Sequence, residues 1–192
     1  MRMAPALHRL VEPDGHTRQS AVLALLHNAP AGPALVFTAR PMSLKHHGGQ
    51  ISFPGGGEED GDQDYAHTAL RETREELGIP TQDIEILGAL TPLYIAPSQN
   101  LVHPYVGWMP RLPPVHPDPI EVAAVITVPL RELLRPTTIG VHTWYREGHP
   151  LPAPCYRVNG VSIWGATAMM LSELLAVIKG LTTEEPDEAP PA

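Results

Sequence analysis

Apolar residues in this chain come in short runs punctuated by glycine and proline, a pattern that predicts many strands and few helices. "SAVLALLH", from Ser20, and "ALVFTAR", from Ala34, are near-continuous apolar runs of strand length on either side of a "NAPAGP" turn. Both read as buried strands. "DIEILGAL", "LVHPYVGW" and "EVAAVITV" read as further strands. "CYRVNGVSIW" reads as a hairpin, because Asn159-Gly160 suits a two-residue type I′ turn between β-rich arms. "ATAMMLSELLAVIKG" is apolar around much of its helical surface. It predicts a helix packed into the body and ended by Gly180.

The best-marked helix has a different character. Asp62 or Asp64 can cap its start, and Gly78 with Pro80 stops it. Ala66, Ala69, Leu70, Thr73 and Leu77 share one face. Glu72, Glu75 and Glu76, at i, i+3 and i+4, occupy an arc of about 100° on the other side. This wheel predicts a buried small-and-apolar face with the carboxylates turned outward. Like charges at that spacing cost a helix a few tenths of a kcal/mol per pair. The cluster is therefore either a solvated face, with Arg71 pairing Glu75, or a set of hard oxygen donors for a cation such as Mg²⁺.

Composition narrows the partners. The chain has 192 residues, 43% of them hydrophobic, with a net charge of −8, which suits one ordinary domain and disfavours bulk attraction to nucleic acid or an anionic membrane. The N-terminal stretch lacks a signal peptide's apolar core, and no apolar run reaches membrane-span length. Cys155 is the single cysteine, so no intrachain disulfide forms; a reducing compartment, the cytosol, is expected. Cys155 has no motif around it and is not read as catalytic. One domain is expected over residues 1–181, with its first dozen residues loose. Residues 182–192, acidic and proline-rich, read as a disordered tail. Oligomeric state is not legible, and a homodimer stays open.

The segment before the glutamates decides their reading. "GGQISFPGGGEEDGDQDYA" runs from a short strand into three consecutive glycines and then into the helix. Glycine permits close backbone approach to a ligand. No Gly-Lys-Ser/Thr follows, so this is not a P-loop. A dinucleotide fingerprint fails at its third glycine. An EF-hand fails at Tyr65 and Arg71, its sixth and twelfth positions.

Gly57, five residues, Gln63, seven residues and "RETREELGI" together resemble the Nudix box over 23 residues. The box has glutamate where Gln63 stands. That glutamate is not usually a metal ligand, so its replacement bears on a local salt bridge or cap. Upstream, Thr38, Arg40, Gly49, Phe53, Pro54, Gly55 and Gly56 fall in register with the signature of the coenzyme A pyrophosphatase subfamily. Pro41 replaces Ser/Ala there, and Lys45 replaces a second Arg, keeping the charge without the bidentate fork.

The resemblance implies an α/β (α+β) fold, an α/β/α sandwich around a mixed sheet. It implies Mg²⁺ or Mn²⁺ held by Glu72, Glu76 and the Gly56 carbonyl, with Glu75 serving a second ion or water. Arg71 would orient the carboxylates. Glu121 is the expected base, its alternative being a plain strand-end charge. Arg40, Lys45, Gly55 and Gly56 would bind substrate, while His46 and His47 read more simply as solvent residues and Trp164 as core. The implied reaction is hydrolysis of the diphosphate of coenzyme A to 3′,5′-ADP and 4′-phosphopantetheine. A Nudix hydrolase of ADP-ribose or dinucleoside polyphosphates, or a non-catalytic binding module, are the other readings.

Overall fold

The computed structural model describes residues 15–42, 48–146 and 149–183. Two long strands open the chain, β1 (Arg18–Ala29) and β2 (Gly32–Ala39), paired antiparallel across a tight turn. Strands β3 (Ile51–Ser52) and β4 (Gly55–Gly57) follow, so all three consecutive glycines lie in a short strand laid on β1, with Ala21 opposite Gly56. Helix α1 (Tyr65–Leu77) comes next, then β5 (Glu85–Ala89), β6 (Leu93–Ile95) and β7 (Asn100–Arg111). β8 (Ala124–Pro129) and the short α2 (Leu130–Leu133) precede β9 (Ile139–Arg146), β10 (His149–Val158), β11 (Val161–Trp164) and α3 (Gly165–Thr183).

The main sheet runs β3-β2-β1-β7-β5, with β4 on β1, β6 on β7 and β8 on β2. It is mixed: β1 and β7 are parallel and the other pairs antiparallel. Apolar residues on successive positions of β1 explain its place at the centre. Leu23 and Leu25 pack on one side with Ala69, Leu77 and Ile79 of the α1 region. Ala24 and Leu26 pack on the other with Phe37, Ile163, Leu171 and Leu174. A strand buried on both faces needs apolar side chains at every position, which is why "VLALL" does not alternate. The second layer combines α3 with a three-stranded sheet, β11-β10-β9.

The β10–β11 hairpin turns at Asn159 and Gly160, both at positive φ (50° and 78°), as the type I′ expectation requires. Two expectations need correction, and one strand is unforeseen. Gly180 does not end α3, which continues to Thr183. "EVAAVITV" becomes strand only from Ala124, because Glu121 and Val122 both donate backbone N–H groups to the Asp118 carbonyl in a preceding turn. β9 is a strand the apolar pattern does not announce: it lies at a sheet edge, leaves Val141 and Tyr145 exposed, and carries no apolar run. No helix among the described residues is long and apolar enough to cross a membrane.

Candidate metal centre and substrate cleft

Helix α1 begins as its sequence dictates. The Asp64 side chain accepts from the His67 backbone N–H at 2.7 Å, the usual N-cap contact. Gly78 closes the other end in the left-handed conformation, its N–H on the Arg74 carbonyl. The wheel fails at one position. Glu76 is only 4% exposed, among the buried residues of the helix, whereas Glu75 faces solvent and Glu72 is half-buried. The reason is a loop that folds back on the helix end. His116 N–H donates to Leu77 O (2.8 Å) and Asp118 N–H to Glu76 O (2.9 Å). A helical wheel sees neither contact.

The same loop delivers Glu121. Asp118 gathers the N–H groups of Ile120, Glu121 and Val122, Val122 is buried, and Ala123 ties to Ala39 of β2. Carboxylate oxygens of Glu72, Glu76 and Glu121 thereby lie within 4.8 Å of one another. Their electrostatics follow from burial and repulsion. Desolvation, then the Glu121 and Glu72 charges, push the Glu76 carboxyl up from 4.5 to about 8. Desolvation also raises Glu72, against the opposing pull of Arg71. Glu76 Oε2 is buried and has no hydrogen-bond partner. Three converging carboxylates with an orphaned buried oxygen are what a hard divalent cation neutralises, so the donor set fits Mg²⁺ or Mn²⁺. Glu75 is not one of the three; its carboxylate accepts from Arg71 at 3.1 Å.

The glycine strand fits tightly against this cluster. A Cβ on Gly56 would fall 2.5 Å from the Glu72 carboxylate, and Gly55, at φ +151°, lies against the β1 backbone. A backbone N–H of Gly55 reaches Glu76. Arg71 clamps the outer side. Nη1 donates to Glu72 (3.0 Å) and Glu75, Nη2 to Gly57 O (2.7 Å), and Nε and Nη2 grip the two oxygens of Asp62 at 3.0 and 3.1 Å. Of the two acids proposed as helix caps, Asp64 does the capping and Asp62 holds Arg71.

A cleft of about 950 Å³ runs past Gly55, Gly56 and Gly57. Arg40, Arg18 and Asn100 line it on the polar side, and Ile95, Val102 and Met170 on the apolar side. Arg40 Nε is buried without a partner, and its charge acts favourably on ionised Glu76. Trp164 is not a core residue: its neighbour Ile163 is fully buried, while Trp164 is half-buried and lines the cleft with Trp144. Their rings stack at 5.8 Å, and His142 stacks on Trp164 at 4.9 Å. Trp144 lies on the unannounced strand β9, and its only sequence signal is its aromatic character. Cys155 is fully buried on β10. Lys45, His46 and His47 lie outside the described residues.

A glycine strand that lines a cleft and feeds an acidic helix, with three carboxylates converging beside that strand, is the arrangement of a Nudix enzyme. Residues 17–147 match the NUDIX domain family, and the chain belongs to it as a Nudix hydrolase. It is 35% identical over 174 residues to the uncharacterized Nudix hydrolase NudL of Photorhabdus laumondii, a match spanning 91% of this chain and 90% of that one. It is 36% identical over 163 residues to the mitochondrial coenzyme A diphosphatase NUDT8 of Homo sapiens, spanning 83% of this chain and 69% of that protein. The crystal structure of a Nudix hydrolase from M. smegmatis, RenU, superposes with a TM-score of 0.57 over 90% of each chain; at 15% identity the likeness is one of fold alone.

Proposed function

We propose that this Nudix hydrolase cleaves the diphosphate of coenzyme A, giving 3′,5′-ADP and 4′-phosphopantetheine, with Mg²⁺ or Mn²⁺ as cofactor. The observation that carries the substrate is Arg40. It belongs to the segment resembling the coenzyme A pyrophosphatase signature, and its guanidinium lines the cleft beside the glycine strand with Nε unpartnered. The human relative named for coenzyme A diphosphatase supports the same reading.

Glu72, Glu76 and the Gly56 carbonyl would hold the cation, with Glu121 close enough to complete the set or to take the proton of the attacking water. A divalent ion there offsets the charge of the diphosphate and lowers the pKa of a bound water. The chain's own groups do the rest. Arg40 binds a phosphate oxygen, with Lys45 of the same segment as its partner in charge. Arg71 holds Glu72 and the Gly57 carbonyl at fixed separation. Glu75, which shares Arg71 Nη1 with Glu72, would serve a second ion or its water. The Trp144–Trp164 pair offers a broad π surface in the cleft, and adenine is the one aromatic group of coenzyme A. Cys155, the single cysteine and fully buried, is consistent with work in a reducing compartment such as the cytosol. Incubation with coenzyme A and Mg²⁺, followed by chromatographic identification of products, tests the proposal. Equimolar 3′,5′-ADP and 4′-phosphopantetheine support it; intact coenzyme A after exhaustive incubation overturns it.

A further inference from the structure

The geometry points to Asp62 as the positioning acid of the metal-side carboxylates, in the role that residue 63 cannot fill in this chain. Gln63 is neutral and exposed. One residue earlier, the Asp62 side chain is 2% exposed and grips Arg71 through both oxygens. It also accepts from the Glu59 N–H, the Thr68 hydroxyl and the His67 ring. Five contacts on one buried carboxylate fix it in the turn that joins the glycine strand to α1. Asp62 touches none of the three clustered carboxylates in any of these contacts; its influence passes through Arg71.

That route is specific. With Nε and one Nη2 hydrogen committed to Asp62, the planar guanidinium has a fixed orientation. Its remaining donors then meet the Glu72 and Glu75 carboxylates and the Gly57 carbonyl, tying helix α1 to the glycine strand. Remove the charge at residue 62 and the close carboxylate partners left to Arg71 are Glu72 and Glu75, with the exposed Glu59 farther off at 3.9 Å. Arg71 would then draw on Glu72 and Glu75, and the donor set would lose both its spacing and its charge. The sequence therefore compensates for glutamine at position 63 by an acid that reaches Arg71 from position 62.

This inference rests on the metal-centre assignment but not on the identity of the substrate, and Mn²⁺ binding to metal-free protein tests it by titration calorimetry. Asp62→Asn, nearly isosteric, should weaken Mn²⁺ at least tenfold, the scale of a lost charge-assisted contact. It should lower kcat by a similar factor while KM stays within threefold. Asp62→Glu should recover most of the affinity, and Gln63→Glu alone should change it less than threefold. If Asp62→Asn does not fold, Asp62→Asn combined with Gln63→Glu replaces it. Recovery of fold and Mn²⁺ affinity in that pair supports the inference, and failure to recover them overturns it. Wild-type Mn²⁺ affinity in folded Asp62→Asn overturns it as well. So does a tenfold gain from Gln63→Glu alone, which would mean that position 63 had never been compensated. Loss of Mn²⁺ binding in Glu72→Gln and Glu76→Gln, measured alongside, separates failure of this inference from failure of the metal centre itself.

Discussion

Replacing Glu76 by glutamine should stabilise the metal-free protein while abolishing its chemistry. Burial and two neighbouring carboxylates raise the folded-state pKa of Glu76 from 4.5 to about 8. A carboxyl raised on folding binds its proton more tightly in the native state, so native stability falls as pH rises through that window. At about 1.4 kcal/mol per unit, the full shift corresponds to roughly 5 kcal/mol above pH 8 and about 3 at pH 7. Glutamine removes the charge but leaves an amide to satisfy and weakens the contact with the Gly55 N–H, together about 1–3 kcal/mol. At pH 8 itself the penalty is about 4 kcal/mol, so the net gain expected there is about 1–3 kcal/mol, or roughly 3–10 °C in Tm for a domain of this size. At pH 5, where wild-type Glu76 is protonated in the fold, the gain should vanish or reverse. Thermal melts in chelator at pH 5, 6.5 and 8 measure it. Saturating Mn²⁺ should raise the wild-type Tm and leave Glu76→Gln unmoved. A variant no more stable than wild type at pH 8, or a Tm difference equal at pH 5 and pH 8, would refute the buried-charge reasoning.

Other substitutions probe the rest of the site. Glu72→Gln and Glu76→Gln should each lower kcat by about a hundredfold or more in folded protein, read by product formation under saturating Mg²⁺. Gly56→Ala places a Cβ 2.5 Å from the Glu72 carboxylate. It should weaken Mn²⁺ affinity at least tenfold, measured by calorimetry. Arg40→Ala should reduce kcat/KM for coenzyme A by about ten- to a hundredfold, the cost of one charge-assisted contact. Trp144→Leu should raise KM for coenzyme A more than it lowers kcat, and intrinsic fluorescence quenching by 3′,5′-ADP should weaken in the same variant.

Much of this architecture is legible in the chain, and what is not has physical causes. The central strands show as unbroken apolar runs because both faces of the sheet are covered. α1 shows because its cap, its stop and its buried Ala69, Thr73 and Leu77 all obey local rules. Glu72 and Glu76 stand out by spacing. The burial of Glu76 does not, since it is imposed by a loop some forty residues away whose His116 and Asp118 bond the helix end. The approach of Glu121 depends on the same loop, so its acidity was visible and its partners were not. Asp62 and Asp64 are equivalent by composition. Geometry separates them, since one lies over the guanidinium of Arg71 and the other over the first turn of the helix. Trp164 follows a core isoleucine in a strand, and the alternation of the strand sends its ring to the cleft.

The most direct test of the account is a competition. Coenzyme A, ADP-ribose and a dinucleoside tetraphosphate, equimolar in one reaction with Mn²⁺, would be followed by chromatography as each is consumed. Relative initial rates under these conditions are ratios of kcat/KM. The account predicts coenzyme A consumed at least tenfold faster than either competitor, with 3′,5′-ADP and 4′-phosphopantetheine appearing together and no turnover by Glu76→Gln. Faster loss of ADP-ribose or of the dinucleoside tetraphosphate would contradict it.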